Sequence, residues 1–194
     1  MINLLLDSSN ICLSVGIMKD DSLLDYTSYE SWQTQSENMV PEIDKLLARH
    51  NISRNDIGGV VVSIGPGSYT GVRIALTIAK TIALTLDVPV YPVSSLQILK
   101  DNDNPSICLI NARSGRSYFG VYQGSKVIIA DCIKQNDEVI DFINEHKDYS
   151  VCGDARYLGF TNNDTNVCQQ MVSLFKDLKP CENHLGLKPI YMKD

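Results

Sequence analysis

The stretch GGVVVSIGPGSYTGVRIALTIAKTIAL, Gly58 to Leu84, constrains the fold more than any other part of the chain. Its β-branched start has the composition of a strand buried on both faces. A turn with Gly65, Gly67 and Gly71 follows, and then a run to about Leu86 in which only Arg73 and Lys80 are charged. That run has two apolar faces at helical spacing, Val72/Ala75/Leu76/Ala79/Ala83/Leu86 and Ile74/Ile78/Ile82. A helix apolar nearly all round must be covered on both sides. Its own sheet covers one side, so the isoleucine stripe requires a neighbouring helix, another molecule, or both.

The glycine turn lacks the Lys-Ser/Thr ending of a phosphate loop. As a dinucleotide fingerprint it is G-x-G-x-x-x-G, one residue out of register, and the next strand, VPVYPV, ends without the acidic residue that would hold a ribose. Two readings stay open for Gly65, Gly67, Ser68, Tyr69, Thr70, Gly71 and Arg73: an anion or partner site built on free amides at a helix N-terminus, or a tight turn with a Ser or Thr cap.

Around this unit the elements occur twice in one order. INLLL, ICLSVGI and LLDYTSY are strand-like and separated by turn formers. NMVPEIDKLLARH carries Met39, Val40, Ile43, Leu46 and Leu47 on one helical face, with Asn38 as the expected cap so that Pro41 falls in the first turn. SRND is a short capped turn, and a short helix is expected from Ser95. In the second half SICLINA, SYFGVYQ and KVIIADCIK are strand-like, DEVIDFINEH is helical, YSVCG is a strand, and NVCQQMVSLFKDL is a helix. Each half is βββαβα, which predicts two similar α/β lobes, residues 1–100 and 105–194, with the second reduced and the boundary at Asp101–Pro105.

Charge and side-chain chemistry narrow the function. A net charge of −6 argues against nucleic-acid binding over the whole surface. The six cysteines form no C-x-x-C pair and are expected to be reduced and packed, while His50, His146 and His184 have no ligand spacing, so neither a metal nor a cofactor is expected. The start has no signal-peptide character and no stretch is expected to span a membrane, which places the protein in the cytoplasm. Asp7 ends the first strand before two serines, the setting of an Asx turn. Ser68 lies in no nucleophile elbow.

GPGSYTGVRIALTIAKTIAL resembles the G-P-G-S-[FY]-T-G-[LV]-R-I signature of the bacterial TsaB (YeaZ) family. LLLDSSNICLSVGI, PVYPVSSLQIL, CLINARSGRSYFGVY, VCGDA and KPIYMK follow in that family's order. The resemblance implies an actin-like ATPase (ribonuclease H-like) fold and a non-catalytic subunit of the tRNA threonylcarbamoyladenosine (t6A) pathway. Its implied partners are a TsaD-type catalytic paralogue, a TsaE-type ATPase and, through the complex, tRNA. Met39, Val40, Ile43, Leu47, Ile74, Ile78 and Ile82 would then lie on partner-binding helices, which also allow a homodimer when the chain is alone, and Asp7 would mark a vestigial nucleotide site. The sequence departs from the family and its paralogue at three places. Ser94-Ser95-Leu96 stands where the catalytic paralogue has metal-binding histidines, Gln35 stands for a frequent histidine, and Asn111-Ala112-Arg113 stands for D-A-R. The competing class is a stand-alone actin-fold ATPase or small-molecule kinase. It needs metal-binding carboxylates in both lobes, and Asp7 supplies one.

Overall fold

Alternation along the first strand decides how the chain is layered. In the computed structural model, which describes residues 1–101, 104–161 and 164–192, β1 (Ile2–Asp7) sits inside a five-stranded sheet of order β3-β2-β1-β4-β5. The partners are β2 (Cys12–Lys19), β3 (Ser22–Glu30), β4 (Ile57–Ser63) and β5 (Val90–Val93). β1 pairs antiparallel with β2 and parallel with β4. Successive side chains of a strand point to opposite faces. Leu4, Leu6, Val60 and Val62 accordingly enter one core with Met39, Ile43, Leu46 and Leu47 of α1 (Gln35–Arg49) and Ala75, Leu76, Ala79 and Ala83 of α2 (Tyr69–Leu86). Leu5 and Val61 enter the opposite core, with Cys168, Met171 and Val172 of α4 (Val167–Leu174). This explains why Val60–Val62 is apolar without alternation.

The second sheet repeats the order without its last strand: β8-β7-β6-β9, built from β6 (Ser106–Arg113), β7 (Arg116–Gln123), β8 (Lys126–Gln135) and β9 (Ser150–Gly153). One face packs Phe119 and Val121 on Val139 and Ile143 of α3 (Asn136–Glu145). The other face packs Cys108, Ile110, Tyr122 and Cys152 around Leu96, which follows β5.

The expected split assigns residues 105–194 to the second lobe, yet α4 and the residues after it return to the first. A Cβ on Gly16 would stand 2.9 Å from Cys168 Sγ, so a bare glycine on β2 lets α4 approach. Lys100, buried before the second sheet, donates to Gln170 Oε1 on α4 at 2.8 Å, and burial lowers its pKa. Of the expected boundary, Asn102 and Asp103 lie outside the described residues, as does Lys193 of the closing motif.

Three local expectations are corrected. α1 begins at Gln35 rather than after Asn38, because its first turn is polar and invisible to apolar spacing. Asn38 instead donates to Ser31 Oγ at 2.9 Å and Thr34 Oγ1 at 3.2 Å. Pro41 therefore lies inside the helix, where it and Glu37 are exposed, so the Glu37 carbonyl that loses its partner can take water. The helix expected from Ser95 is one 3₁₀ turn, Gln97–Leu99. Ser53 does cap the Arg54–Asp56 turn, with a reciprocal bond from Ser53 N to Asp56 Oδ2 at 2.9 Å. By length and composition α2 is apolar enough to cross a membrane. In the fold it is a sheet-packed helix, with Val72, Ala75, Leu76, Ala79 and Ala83 buried.

Candidate functional site: the glycine turn and the helix after it

Between β4 and α2 the glycine turn faces inward, onto the turn that joins β1 to β2. Ser68 N donates to Ser9 O at 2.7 Å, and Ser8 Oγ donates to Gly71 O at 2.8 Å. A Cβ on Gly67 would collide with Ser9 O, and one on Gly71 with Ser8 O. Ser68 caps α2 by accepting from Gly71 N at 3.2 Å, and Val72 N goes to Ser68 O at 2.9 Å. On the other side Gly65 N donates to Ser95 Oγ and Ser95 N to Gly65 O, each at 3.0 Å. The amides of Gly65, Ser68, Gly71 and Val72 are thus bound to acceptors of the chain itself. Of the two readings left open by the sequence, the geometry favours the packed, capped turn.

Asp7 is part of the same packing. Its carboxylate accepts from Ser63 Oγ, the last residue of β4, and from Ser9 N at 3.1 Å, which makes it an Asx turn. Burial raises its pKa, against the hydrogen bonds from Ser63 and Ser9. Gln35, at the start of α1, is buried and donates to Asn10 O at 2.6 Å and Cys12 O at 3.2 Å, holding the other side of that turn. Ser94 Oγ donates to Asp131 Oδ2 at 2.6 Å across the two sheets, and Tyr122 hydroxyl donates to Asp131 Oδ1. Burial raises the Asp131 pKa, opposed by Ser94. Among the described residues no group of three or more His, Cys, Asp or Glu is placed to hold a metal ion. His50 meets Asp25 Oδ2 at 2.8 Å, and the histidines do not converge. The cysteines are free, although β6 and β9 set Cys108 opposite Cys152, a pairing with no sequence-motif signal.

Outward, α2 offers a different surface. Ile78, Thr81, Ile82, Thr85 and Leu86 form one wall of an apolar groove of about 310 Å³, and Val40 and Asp44 of α1 form the other, with Ile43 and Leu47 beneath them. Arg54 also lines the groove, its Nη2 donating to both carboxylate oxygens of Asp44 at 3.0 Å. The structure brings together Val40, Ile43, Leu47, Ile78 and Ile82 as the sequence grouped them. Ile74 is half-buried on the same stripe but outside the lining. Met39, grouped with the partner-facing residues, is fully buried in the core and has no surface to offer. Ile43 and Leu47 are also buried and form the floor, leaving Val40, 47% exposed, as the most accessible α1 residue in the lining.

At its N-terminal end α2 carries a cluster of which the sequence groups Tyr69 and Arg73 but not Tyr191. Arg73 lies over the Tyr69 ring, 4.0 Å from Cζ to the centroid, and its Nε donates to Tyr191 hydroxyl at 2.6 Å. Tyr69 and Tyr191 stack with centroids 5.1 Å apart. Tyr191 comes from the C-terminal segment, 118 residues from Arg73, and no local pattern in the sequence links it to the glycine turn. The exposed Thr70 is not among the residues of this cluster.

A twice-used β3-β2-β1-β4 sheet order with the βββαβα sequence of elements defines an actin-like, ribonuclease H-like α/β protein. The solved structure of YeaZ from Pseudomonas aeruginosa has this fold, with a TM-score of 0.79 over 98% of this chain and 99% of that one at 19% identity. Residues 30–173 match the family described as TsaD: tRNA N6-adenosine threonylcarbamoyltransferase. The tRNA threonylcarbamoyladenosine biosynthesis protein TsaB of Bacillus subtilis is 33% identical over 175 residues, 87% of this chain and 74% of the relative. The Escherichia coli TsaB protein is 32% identical over 94 residues, 45% of this chain and 41% of that relative. The chain belongs to the TsaB (YeaZ) family.

Proposed function

We propose that the chain is a non-catalytic subunit of the t6A modification system, docking a TsaD-type threonylcarbamoyltransferase through the α1–α2 groove. A TsaE-type ATPase joins the assembly, and tRNA is met through the complex. The groove carries this reading: it is an apolar depression flanked by half-buried isoleucines, suited to receive apolar side chains from a partner helix. In the absence of the partner the same face can pair two copies of the chain. Support for a non-catalytic role comes from the inward geometry of the positions an enzyme of this fold would use. Asp7 is bound by Ser63 and Ser9, the glycine turn is packed on Ser8 and Ser9, and Ser94 is bound to Asp131.

Ile78→Glu tests the docking face. Ile78 is half-buried, so a carboxylate at the groove wall can stay hydrated in the free chain. Partner docking would bury it unpaired, at a cost of several kcal/mol in addition to part of the about 1.5–3 kcal/mol contributed by burying an isoleucine. Association should weaken by several orders of magnitude at about 1.4 kcal/mol per tenfold. Circular dichroism checks the fold and size-exclusion chromatography with the paralogue checks binding. A folded variant that binds normally refutes the groove as the interface.

A further inference from the structure

After α4 the chain does not end on the second lobe but runs back along the first as a strap. Cys181 N donates to Val90 O of β5 at 2.8 Å, Leu185 O accepts from Lys80 Nζ at 3.0 Å, and Ile190 N donates to Ile64 O at 2.7 Å. Leu187 is partly buried against the first core. Gly65 lets the strap come this close, since a Cβ there would stand 2.8 Å from Ile190 O. The strap then delivers Tyr191 to Tyr69 and Arg73.

At 100° per residue, Tyr69, Arg73 and Lys80 lie on one side of α2 and Ile74, Ile78 and Ile82 on another. Between them runs an exposed ridge that includes Thr70, Thr77, Thr81 and Leu84. A partner element lying along that ridge has the groove on one flank and the tyrosine cluster on the other. Tyr69 is 58% exposed and Tyr191 41%, although both are large aromatic rings. Arg73 is exposed and has no carboxylate partner among the described residues, and its Nε is already taken by Tyr191, which leaves the two terminal nitrogens of the fork without an acceptor among those residues. The first turn of α2 has no acidic residue to meet its helix dipole. Tyrosine and arginine are the residue types that most often dominate the energy of protein interfaces.

We infer that Tyr191, Tyr69 and Arg73 form a second contact point of the docking face, assembled by the strap, which receives a carboxylate presented beside an apolar edge by the same protein partner that fills the α1–α2 groove. The inference rests on the proposed docking reading and adds to it a charge, a position and a dependence on the C-terminal segment. A planar guanidinium laid over the Tyr69 ring and held through Nε by the Tyr191 hydroxyl is pre-organised for bidentate contact with a carboxylate. Removing the strap end leaves Tyr69 and Arg73 without the stacked ring and hydrogen bond that hold them in this arrangement.

The test measures affinity for the purified TsaD-type paralogue by titration calorimetry. It compares the wild type, Tyr191→Ala, Arg73→Gln, their double variant, a chain ending at Leu187, and Ile78→Glu. Tyr191→Ala and Arg73→Gln should each weaken binding about tenfold, with the double variant well short of the product of the two because the residues act as a unit. Their melting temperatures should stay close to wild type, since both side chains are at the surface. The chain ending at Leu187 should bind like Tyr191→Ala, and rising salt should narrow the gap between wild type and Arg73→Gln. Unchanged affinity in these variants beside loss in Ile78→Glu overturns the strap contact and leaves the groove reading standing. No binding by the wild type overturns both. Normal paralogue binding with loss of tRNA binding to the assembled complex would make the cluster an RNA-stacking platform, which also overturns the inference.

Discussion

Gly71→Ala separates a packed turn from an anion cradle, because the two readings predict opposite results for one methyl group. Gly71 is in the first turn of α2 with ordinary helical geometry, so alanine removes a backbone-entropy cost and on propensity alone should stabilise by up to about 1 kcal/mol. Against this, its Cβ would run into the carbonyl oxygen of Ser8, a backbone atom that cannot swing away like the end of a side chain. Overpacking that side chains can absorb costs about 1–3 kcal/mol. Relief at this site requires the two turns to part, which weakens Ser68 N to Ser9 O and Ser8 Oγ to Gly71 O, each contributing about 1 kcal/mol net. The net loss is then about 3 kcal/mol or more, and at about 2–4 °C per kcal/mol the melting temperature should fall by about 6–12 °C. Thermal unfolding followed by circular dichroism measures it, with the exposed Thr77→Ala in the same helix as a control expected within about 0.5 kcal/mol of wild type. A Gly71→Ala protein that melts like wild type would refute the packed-turn account.

The purified chain with threonylcarbamoyl-AMP and tRNA should give no modified tRNA, and adding the catalytic paralogue, the ATPase subunit and ATP should give product; robust product from the chain alone would overturn the subunit reading. Asp7→Asn should be neutral or stabilising above neutral pH. Burial raises the Asp7 pKa in the fold, so its contribution to stability is full below the unfolded value and lost as pH rises through the folded one. Denaturant titrations of both proteins between about pH 5 and 8 should show a flatter profile for the asparagine variant, and a large loss of stability at high pH would contradict the assignment.

The duplicated architecture was legible in the sequence because it rests on local patterns: β-branched runs, turn formers, and apolar spacing in α1, α2 and α3. The groove was partly legible for the same reason, since Ile78 and Ile82 announce a second apolar face. What the pattern could not convey was depth. Met39, Ile43 and Leu47 have the same spacing as Val40, and nothing local says that they are floor or core and Val40 is rim. The polar first turn of α1 was hidden because Gln35 is buried by hydrogen bonding to Asn10 and Cys12 carbonyls, without an apolar signal. The return of α4 to the first sheet and the strap contact of Tyr191 are long-range events. Glycines 16 and 65 permit them, but in one sequence a glycine announces a close approach without naming what approaches.

Three long-range ties hold the turns at the strand ends: Asp7 to Ser63, the glycine turn to Ser8 and Ser9, and Ser94 to Asp131. The last joins the residue that follows β5 of the first sheet to β8 of the second and can be tested through its dependence on pH. Ser94 Oγ has two jobs, accepting from Leu96 N at 3.1 Å and Gln97 N at 3.3 Å while donating to Asp131. In Ser94→Ala the loss of the cap costs about 1 kcal/mol at any pH. Loss of the bond to Asp131 costs about 1.5–3 kcal/mol more, but only when the carboxyl is ionised. Burial already raises the Asp131 pKa, and without Ser94 it rises further, so the ionisation that destabilises the fold as pH rises becomes more costly. The difference in melting temperature between wild type and Ser94→Ala should therefore be smallest near the ordinary carboxylate value of 3.8 and larger at about pH 8, and this widening should vanish when both carry Asp131→Asn. A deficit of the same size at both pH values would mean that Ser94 acts only as a cap and that the tie between the sheets contributes nothing to their stability.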